Sequence, residues 1–294
     1  MGVTIVVFAL LKTLPGDPAI SLVGERATPE TIAKIRTSIG ADKGIVEQYF
    51  GYLKLLMNGD FGRSYFTNRD VGSDIYAKFP NTLKLALSAM LIAIPAGILI
   101  GFLSARNSQG IIAKTSDTLT LACLSMPVFW SAILIMLIFS LKLKLFPPSG
   151  TGNLNFLILP ALVLAIPASA TIARVTKTSV ADILRMPYIT TAKAKGLKAF
   201  KINMVHVLKN AIIPIVTIIG LDFGSYLNGA VVTETIFGWD GIGRFIMEGI
   251  LKRDYPVIMG CIVVGTAVFV VVNLITDIAY HFLDPRIKLH AKDR

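Results

Sequence analysis

Few residues of this chain have the types and spacing that catalysis or metal binding requires. The histidines are His206, His281 and His290, while Cys123 and Cys261 both lie within apolar runs. These positions do not form the closely spaced sets of zinc sites, and they indicate no disulfide framework. No glycine-rich phosphate-binding motif, H-E-x-x-H or G-x-S-x-G sequence occurs. We therefore predict no catalytic residue, no metal ligand and no cofactor in this chain.

Two carboxylates lie within or beside a long apolar segment. Asp222 interrupts the run Ala211–Thr233, and Glu234 follows it directly. An acid inside a membrane span is costly unless it faces a polar cavity or a partner. Asp222 is therefore expected either to meet a positively charged solute group or to hydrogen-bond a neighbouring helix. Glu234 is expected at an interface or gate, with contact to a solute as the alternative. The glycine-rich segment Ile236–Arg244 is expected either to fold back and contact an external protein, or to anchor the chain at the membrane interface through Trp239.

The densest group of positive charges lies between the apolar segments Leu154–Ala173 and Ala211–Thr233. The residues between them include eight lysines and arginines but a single acid, Asp182. Such loops are retained on the cytoplasmic side of membranes. Residues 188–198 mix small residues with bases, which predicts a short helix ending near Gly196. This helix would suit docking onto a cytosolic partner; the alternative is a basic loop that only fixes topology.

The composition indicates that membrane-spanning helices position these residues. The 294-residue chain is 54% hydrophobic and 16% charged, with a mean hydropathy of +0.68. Several apolar windows reach the roughly 18 residues that cross about 30 Å of hydrocarbon. A membrane β-barrel would show short alternating segments instead. We predict an all-α membrane protein with about six transmembrane helices.

The net charge of +11 is unevenly distributed. The predicted inner segments, residues 104–116, 174–209 and 281–294, contain fourteen lysines and arginines and three aspartates, which accounts for the whole excess. Residues 15–79 contain eight bases and eight acids. Membrane topology produces this asymmetry, and no interleaving of aromatic and basic residues indicates a nucleic-acid surface. We expect a multi-pass protein in a lipid bilayer with both termini in the cytoplasm and no nucleic-acid partner.

Four regions follow from these patterns. Residues 1–14 are apolar but too short for a full crossing, which predicts an incomplete first transmembrane helix whose start lies upstream. Residues 15–80 are predicted to form a small extracytoplasmic subdomain. Residues 81–282 form the membrane core, which includes the cytoplasmic loop 174–210, and residues 283–294 form a cytoplasmic tail.

Glycines and prolines predict the local shape of the spans. Gly97 and Gly101 are four residues apart, a spacing that permits close helix contact. The third span is expected to tolerate Pro127, and the fourth is expected to be broken by Pro160 and Pro167. The predicted spans after the first are Leu83–Leu103, Leu119–Leu141, Phe156–Ala173, Ala211–Thr233 and Val257–Ala279.

Short motifs occur in a fixed order along nearly the whole chain. Residues 190–196 read Thr-Thr-Ala-Lys-Ala-Lys-Gly and are followed by Leu208, Asn210 and Pro214. This set resembles the cytoplasmic "EAA" motif of ABC importer permeases, although Thr190 stands where the motif has an acid. Within those permeases it is similar to the first subunit of the dipeptide, oligopeptide and nickel branch. Further similar segments are Leu14–Ala19, Gly62–Ser64, Asn81–Leu83, Pro147–Gly150, Glu234–Trp239, Gly241–Arg244, Arg253–Pro256 and Asp284–Ile287.

The resemblance implies a type I permease fold and a non-catalytic subunit of an importer in a bacterial or archaeal cytoplasmic membrane. It implies a second homologous permease, two cytosolic ATPase subunits that bind ATP and magnesium, and an extracytoplasmic substrate-binding protein. Thr190–Lys198 would be the coupling helix, seated in a cleft of one ATPase. The implied coupling residues are Thr190, Thr191, Ala192, Lys193, Ala194, Lys195 and Gly196.

The implied mechanism is alternating access along a pathway between two permeases, with Asp222, Glu234 and Trp239 as pathway or gate candidates. Dipeptides or oligopeptides are the expected cargo; nickel or another small solute is the alternative. A secondary transporter would carry ion-coupling acids and inverted repeats, and a channel would carry a filter-like segment. The sequence shows no convincing example of these features.

Overall fold

A computed structural model of the chain describes residues 2–13, 16–24, 27–107 and 109–283. Within these ranges the structure is helical and contains no strand; an isolated antiparallel bridge joins Arg63 and Asp70. The predicted all-α class is confirmed. Residues 284–294, which make up nearly all of the predicted cytoplasmic tail, lie outside the described part of the chain.

Fourteen α-helices can be numbered along the described chain. Two π-helical segments adjoin them, Leu137–Lys142 after α7 and Ile202–Leu208 between α10 and α11. The helices are α1 (Gly2–Thr13), α2 (Pro18–Val23), α3 (Pro29–Ser38), α4 (Ile45–Met57), α5 (Val71–Arg106), α6 (Ile111–Ser125), α7 (Val128–Met136), α8 (Leu154–Leu184), α9 (Pro187–Ala194), α10 (Ala199–Lys201), α11 (Lys209–Leu227), α12 (Val231–Ile236), α13 (Ile242–Lys252) and α14 (Tyr255–Leu283).

The chain divides into two compact units. The first unit combines Met1–Leu83 with Asn228–Val268, and the second combines Lys84–Leu227 with Phe269–Arg294. The predicted limit at residue 80 falls inside α5, which begins at Val71 because the Asp70 carboxylate accepts the Ser73 N–H at 2.6 Å as an N-terminal cap. The first turns of α5 are polar, so hydropathy alone places the start of this helix too late.

Four described helical segments are long and apolar enough to cross a membrane: α5, α8, residues 199–227 and α14. The pair formed by α6 and α7 becomes a fifth if it is counted as one bent span, with an angle of 101°. α1 is apolar but has 12 residues. The described helices therefore supply four or five of the roughly six predicted spans, and α1 lies where the incomplete first helix was predicted.

In the second unit, α8 contacts α6, α7 and α11. α5 also packs closely on α8, because a Cβ added at Gly97 would lie 2.7 Å from Ile172 Cβ and 2.8 Å from the Ser169 carbonyl. A Cβ at Gly101 would lie 2.6 Å from Thr176 Cβ. The predicted close contact at the two glycines is confirmed, since no side chain fits between these backbones.

Both expectations for prolines inside spans were wrong. α8 continues through Pro160 and Pro167, and the Tyr226 hydroxyl donates a 2.8 Å hydrogen bond to the Leu164 carbonyl, one turn before Pro167. α6 instead ends at Ser125, and Pro127 is the N-cap of α7. Met126, which precedes this proline, is extended with ψ 126°, a conformation that cannot continue a helix.

The first unit has its own apolar core. Val71, Ile75 and Ile242 are buried with Val257 and Cys261. A second cluster joins Leu11 of α1 to Ile258 and Met259 of α14, with Phe8 and Tyr52 at its edge. These contacts hold α1, α4, the start of α5 and residues 228–268 in one compact group.

Candidate functional site

The helix α9 carries the residues predicted to couple the chain to a partner. Pro187 occupies its first turn, where a missing N–H is harmless. Gly196 follows the helix with φ +73°, and two hydrogen bonds close the end, Gly196 N–H to the Lys193 carbonyl at 2.9 Å and Leu197 N–H to the Ala192 carbonyl at 3.3 Å. The predicted turn at Gly196 is confirmed. The helix covers 187–194 and not 190–198, because this left-handed residue stops it.

Two faces of α9 have opposite environments. Ile189 is fully buried and Ala192 is 8% exposed, and both belong to the apolar core of the second unit. The small side chain of Ala192 therefore serves packing within this chain. The remaining predicted coupling residues are exposed: Thr190, Thr191, Lys193, Ala194, Lys195 and Gly196. We call these six residues the α9 surface.

The α9 surface is positively charged and has no internal counterion. Across the described ranges, neither Lys193 nor Lys195 forms an ion pair. The base of the helix is held by Asn210, whose amide donates to the His206 carbonyl at 2.7 Å, with the Tyr188 hydroxyl 3.4 Å from both of these groups. A firmly seated helix thus presents two free cations to solvent or to a partner.

Asp222 lies in α11 of the second unit and is partly buried. Its Oδ2 atom is buried and has no hydrogen-bond partner within the part of the chain that the structure describes. Tyr226, one turn further on, donates to the Leu164 carbonyl and not to this carboxylate. A buried carboxylate oxygen without a donor is unfavourable, so it has the capacity to accept a hydrogen bond or a cation from outside the chain.

Two candidates lie in the first unit: Glu234 in the short helix α12, and Trp239 in the loop between α12 and α13. Glu234 has no exposed surface. It accepts hydrogen bonds from the Thr82 hydroxyl at 2.9 Å and the Arg244 N–H at 3.0 Å. The Thr82 oxygen in turn accepts the Ile242 N–H at 2.9 Å. This carboxylate therefore fixes the start of α13 against the residue pair Asn81 and Thr82.

Trp239 closes the same loop. Its ring is 4% exposed, and its indole N–H donates to the Asn81 carbonyl at 3.0 Å. The Asn81 amide donates to the Asp240 carbonyl at 2.8 Å, and Lys78 pairs with the Asp240 carboxylate. An anchoring role for Trp239 at the membrane interface conflicts with this burial, whereas contact between segment 236–244 and an external protein stays a prediction. The ring instead holds the loop to the first turns of α5.

Burial raises the pKa of Glu234, although the hydrogen bonds from Arg244, Thr82 and Gly243 act in the opposite direction. The folded chain therefore holds the proton of this carboxyl more tightly than an exposed glutamate would hold it. Thr82 and Asn81 carry this arrangement but had no role assigned from the sequence. Their partners lie more than 150 residues away along the chain, and no spacing rule connects them.

The predicted candidates fall in both units of the chain. The α9 surface and Asp222 belong to the second unit, while Glu234 and Trp239 belong to the first. Among residues 2–13, 16–24, 27–107 and 109–283, no group of three or more His, Cys, Asp and Glu side chains could hold a metal ion.

Two family descriptions together match most of the chain. Residues 97–289 match the binding-protein-dependent transport system inner membrane component, and residues 1–86 match the N-terminal membrane component of the same transport systems.

Curated relatives match over nearly the full length. The di/tripeptide transport system permease protein DppB of Pseudomonas aeruginosa is 37% identical, over 98% of this chain and 94% of its own. The dipeptide transport system permease protein DppB of Alkalihalophilus pseudofirmus is 37% identical over 98% and 95%. The protein of the same name from Escherichia coli K12 is 36% identical over 98% and 94%.

Solved structures share the fold at low sequence identity. The MetNI methionine ABC transporter in inward-facing conformations matches with a TM-score of 0.60 and 16% identity, over 71% of this chain and 96% of the matched chain. An amino acid ABC transporter crystallised with histidines matches with a TM-score of 0.56 and 16% identity, over 70% and 92%.

Proposed function

This chain belongs to the family of binding-protein-dependent transport system inner membrane components, and we propose that it is a permease subunit that imports dipeptides and oligopeptides. The observation that carries the proposal is the identity of 36–37% to named dipeptide permeases across 98% of the chain. Its fold is the type I ABC importer permease fold of the matched transporters. It is a non-catalytic, multi-pass inner-membrane protein.

The proposed assembly contains parts that this chain lacks. A second homologous permease would complete the translocation pathway, and two cytosolic ATPase subunits would bind ATP and magnesium. An extracytoplasmic binding protein would deliver the peptide. The name of the matched family, binding-protein-dependent transport, supports the last of these partners.

The α9 surface supplies the proposed connection to the ATPases. It offers two unpaired cations on a helix whose other face is locked into the core of the second unit by Ile189 and Ala192. A displacement of this short helix would therefore be transmitted to the helices packed against it, because, in the described part of the chain, no flexible loop separates them from its buried face. ATP-driven closure of the ATPases would in this way reorient the pathway.

Asp222 is the proposed pathway acid. Its unpartnered buried oxygen could accept the ammonium end of a peptide, or a donor from the second permease. We expect Asp222→Asn to reduce peptide uptake while assembly with the partner subunits stays normal. Asp277→Asn, at an exposed acid of α14, is the matched control and should leave uptake unchanged. Unchanged uptake in a normally assembled Asp222→Asn transporter would remove Asp222 from the pathway.

Cross-linking tests the coupling role. In a background where Cys123 and Cys261 are replaced by Ala, a cysteine at exposed Ala194 should cross-link to an ATPase subunit of the assembled transporter. A cysteine at Ala192 is the control, because that side chain faces the core and should not react.

Reconstituted vesicles test the function itself. Dipeptide uptake should require ATP, the binding protein and intact ATPase subunits. Uptake that continues without the ATPases would identify a secondary transporter. If the cognate binding protein captured nickel and not peptide, the transported solute would be reassigned to nickel.

A further inference from the structure

A cavity of about 590 Å³ lies in the second unit, beside the last turn of α9. Three of its lining residues are basic, Arg106, Arg185 and Lys193, and all three are exposed. No aspartate or glutamate is among the residues that line it. Within the described ranges, none of the three cations forms an ion pair. The cavity is therefore a concentration of positive charge without a counterion.

The three bases come from three different helix ends. Arg106 is the last residue of α5, Arg185 is the C-cap of α8, and Lys193 lies in the last turn of α9. A helix C-terminus favours one cation through its dipole, which accounts for each base by itself. It does not account for the three of them lining one open volume, where like charges repel and a bound anion would relieve the repulsion.

The remaining lining groups are suited to an amphipathic ligand. Asn203 offers a side-chain amide that forms no hydrogen bond within the described chain, so it can donate to an oxyanion. Ala105, Leu184, Leu197 and Ile202 provide an apolar wall. A free inorganic anion would leave this wall wet, whereas a headgroup with attached hydrocarbon would cover it.

We propose that this cavity binds a phosphate group, supplied by an anionic phospholipid of the inner leaflet. Basic pockets between helices at the cytoplasmic membrane face are the expected location for such headgroups. The lipid as the source of the phosphate rests on the proposed cytoplasmic placement of the 174–210 loop. The three basic residues and the cavity volume do not depend on that placement. Free inorganic phosphate is the other possible source of a ligand with the same chemistry.

The test is native mass spectrometry of the intact transporter in detergent, titrated with phosphatidylglycerol, with neutral phosphatidylcholine and with inorganic phosphate. The double variant Arg106→Gln and Arg185→Gln should bind phosphatidylglycerol roughly thirtyfold more weakly, from about 1 kcal/mol for each charge. Lys201→Gln with Lys209→Gln is the matched control, since these exposed bases lie in the 174–210 loop with Arg185 but do not line the cavity. It should bind like the unmodified protein, and Arg106→Lys with Arg185→Lys should retain most of the affinity.

The outcomes separate the alternatives. Binding of inorganic phosphate with the same variant dependence, but no binding of phosphatidylglycerol, would keep the site and assign it to free phosphate. Equal lipid binding by the double variant and its control would overturn the proposal. Loss of the ATPase subunits from the double variant without a change in lipid binding would also overturn it and assign the bases to a protein contact. Because the measurement needs neither ATP nor peptide, it remains informative even if the proposed transport function fails.

Discussion

Glu234 is a fully buried carboxylate whose ligands are all supplied by the chain itself. Thr82 and the backbone of Arg244 donate to it, and Thr82 also accepts the Ile242 N–H. Buried carboxylates in transport proteins invite a substrate-binding interpretation, but a group with no exposed surface and a complete set of donors is a structural centre. Any gating role would therefore act through the loop that this residue holds.

Glu234→Ala should destabilise the first unit by about 3 kcal/mol. The change leaves the Thr82 hydroxyl and the Arg244 N–H without an acceptor inside a closed loop. The effect is measured by thermal unfolding of the purified transporter, with the fraction of monodisperse complex as the readout. Glu248→Gln is the control, because Glu248 is nearly half exposed and, among the described residues, forms an ion pair only with Arg244 four residues away. Its effect should stay within about 0.5 kcal/mol, and an equal loss in both variants would contradict the structural role of Glu234.

The pH dependence of stability should also identify Glu234. Since burial raises its pKa above the ordinary value of 4.5, the folded chain holds this proton more tightly than the unfolded chain. The associated stability is complete below pH 4.5 and is lost as the pH rises through the folded-state pKa. Wild type should therefore lose stability relative to Glu234→Gln between that pH and neutrality. Parallel midpoints for the two proteins across this range would show that Glu234 does not titrate.

At the scale of elements, the prolines show where sequence patterns reach their limit. Hydropathy located the apolar runs, and the charges located the loop that contains α9. Whether a proline breaks a helix depends on what surrounds it: Pro160 is buried within the most enclosed of the long helices, and Tyr226 supports the Leu164 carbonyl before Pro167. Pro127 has no comparable enclosure, and the chain turns there. That difference lies in tertiary contacts and not in the local residues.

The features of the candidate site also fall into two groups, those with a local signal in the sequence and those that depend on tertiary contacts. The end of α9 at Gly196 could be predicted because a glycine that permits positive φ is a local signal. The inward orientation of Ala192 and the burial of Trp239 could not, since both depend on segments distant in the chain. Small residues in a recognised motif can thus serve internal packing as well as partner contact.

The contact between α5 and α8 should fail on addition of one methyl group. Gly97→Ala places a Cβ 2.7 Å from Ile172 and 2.8 Å from the Ser169 carbonyl, so the helices must separate at a cost of about 1–3 kcal/mol. Gly51→Ala is the control: Gly51 lies within α4 and has no atom within 4 Å of the added Cβ. That change should be neutral or stabilising by up to about 1 kcal/mol. Thermal midpoints of the two variants decide the matter, and equal midpoints would refute the close packing.

At the scale of the whole molecule, the charge distribution predicts the orientation of the chain in the membrane. In the background without Cys123 and Cys261, a cysteine at Lys195 should react with a membrane-impermeant maleimide in inside-out vesicles only. A cysteine at Ser149, in the predicted outer turn, should react in right-side-out vesicles only. Both positions are exposed, so burial does not limit labelling. The reverse pattern would place the α9 surface outside and exclude a connection to cytosolic ATPases.

The first unit is assembled from two segments that are far apart in the chain, residues 1–83 and 228–268, and this imposes an order on its biogenesis. Ser64 bonds Asp254 at 2.5 Å across 190 residues, and Thr82 reaches Glu234 across 152. At synthesis rates of about 5–20 residues per second, Ser64 leaves the ribosome roughly 10–40 s before its partner exists. During that interval residues 1–83 cannot complete the fold of the first unit. The second unit differs in this respect, because most of it comes from the uninterrupted stretch 84–227.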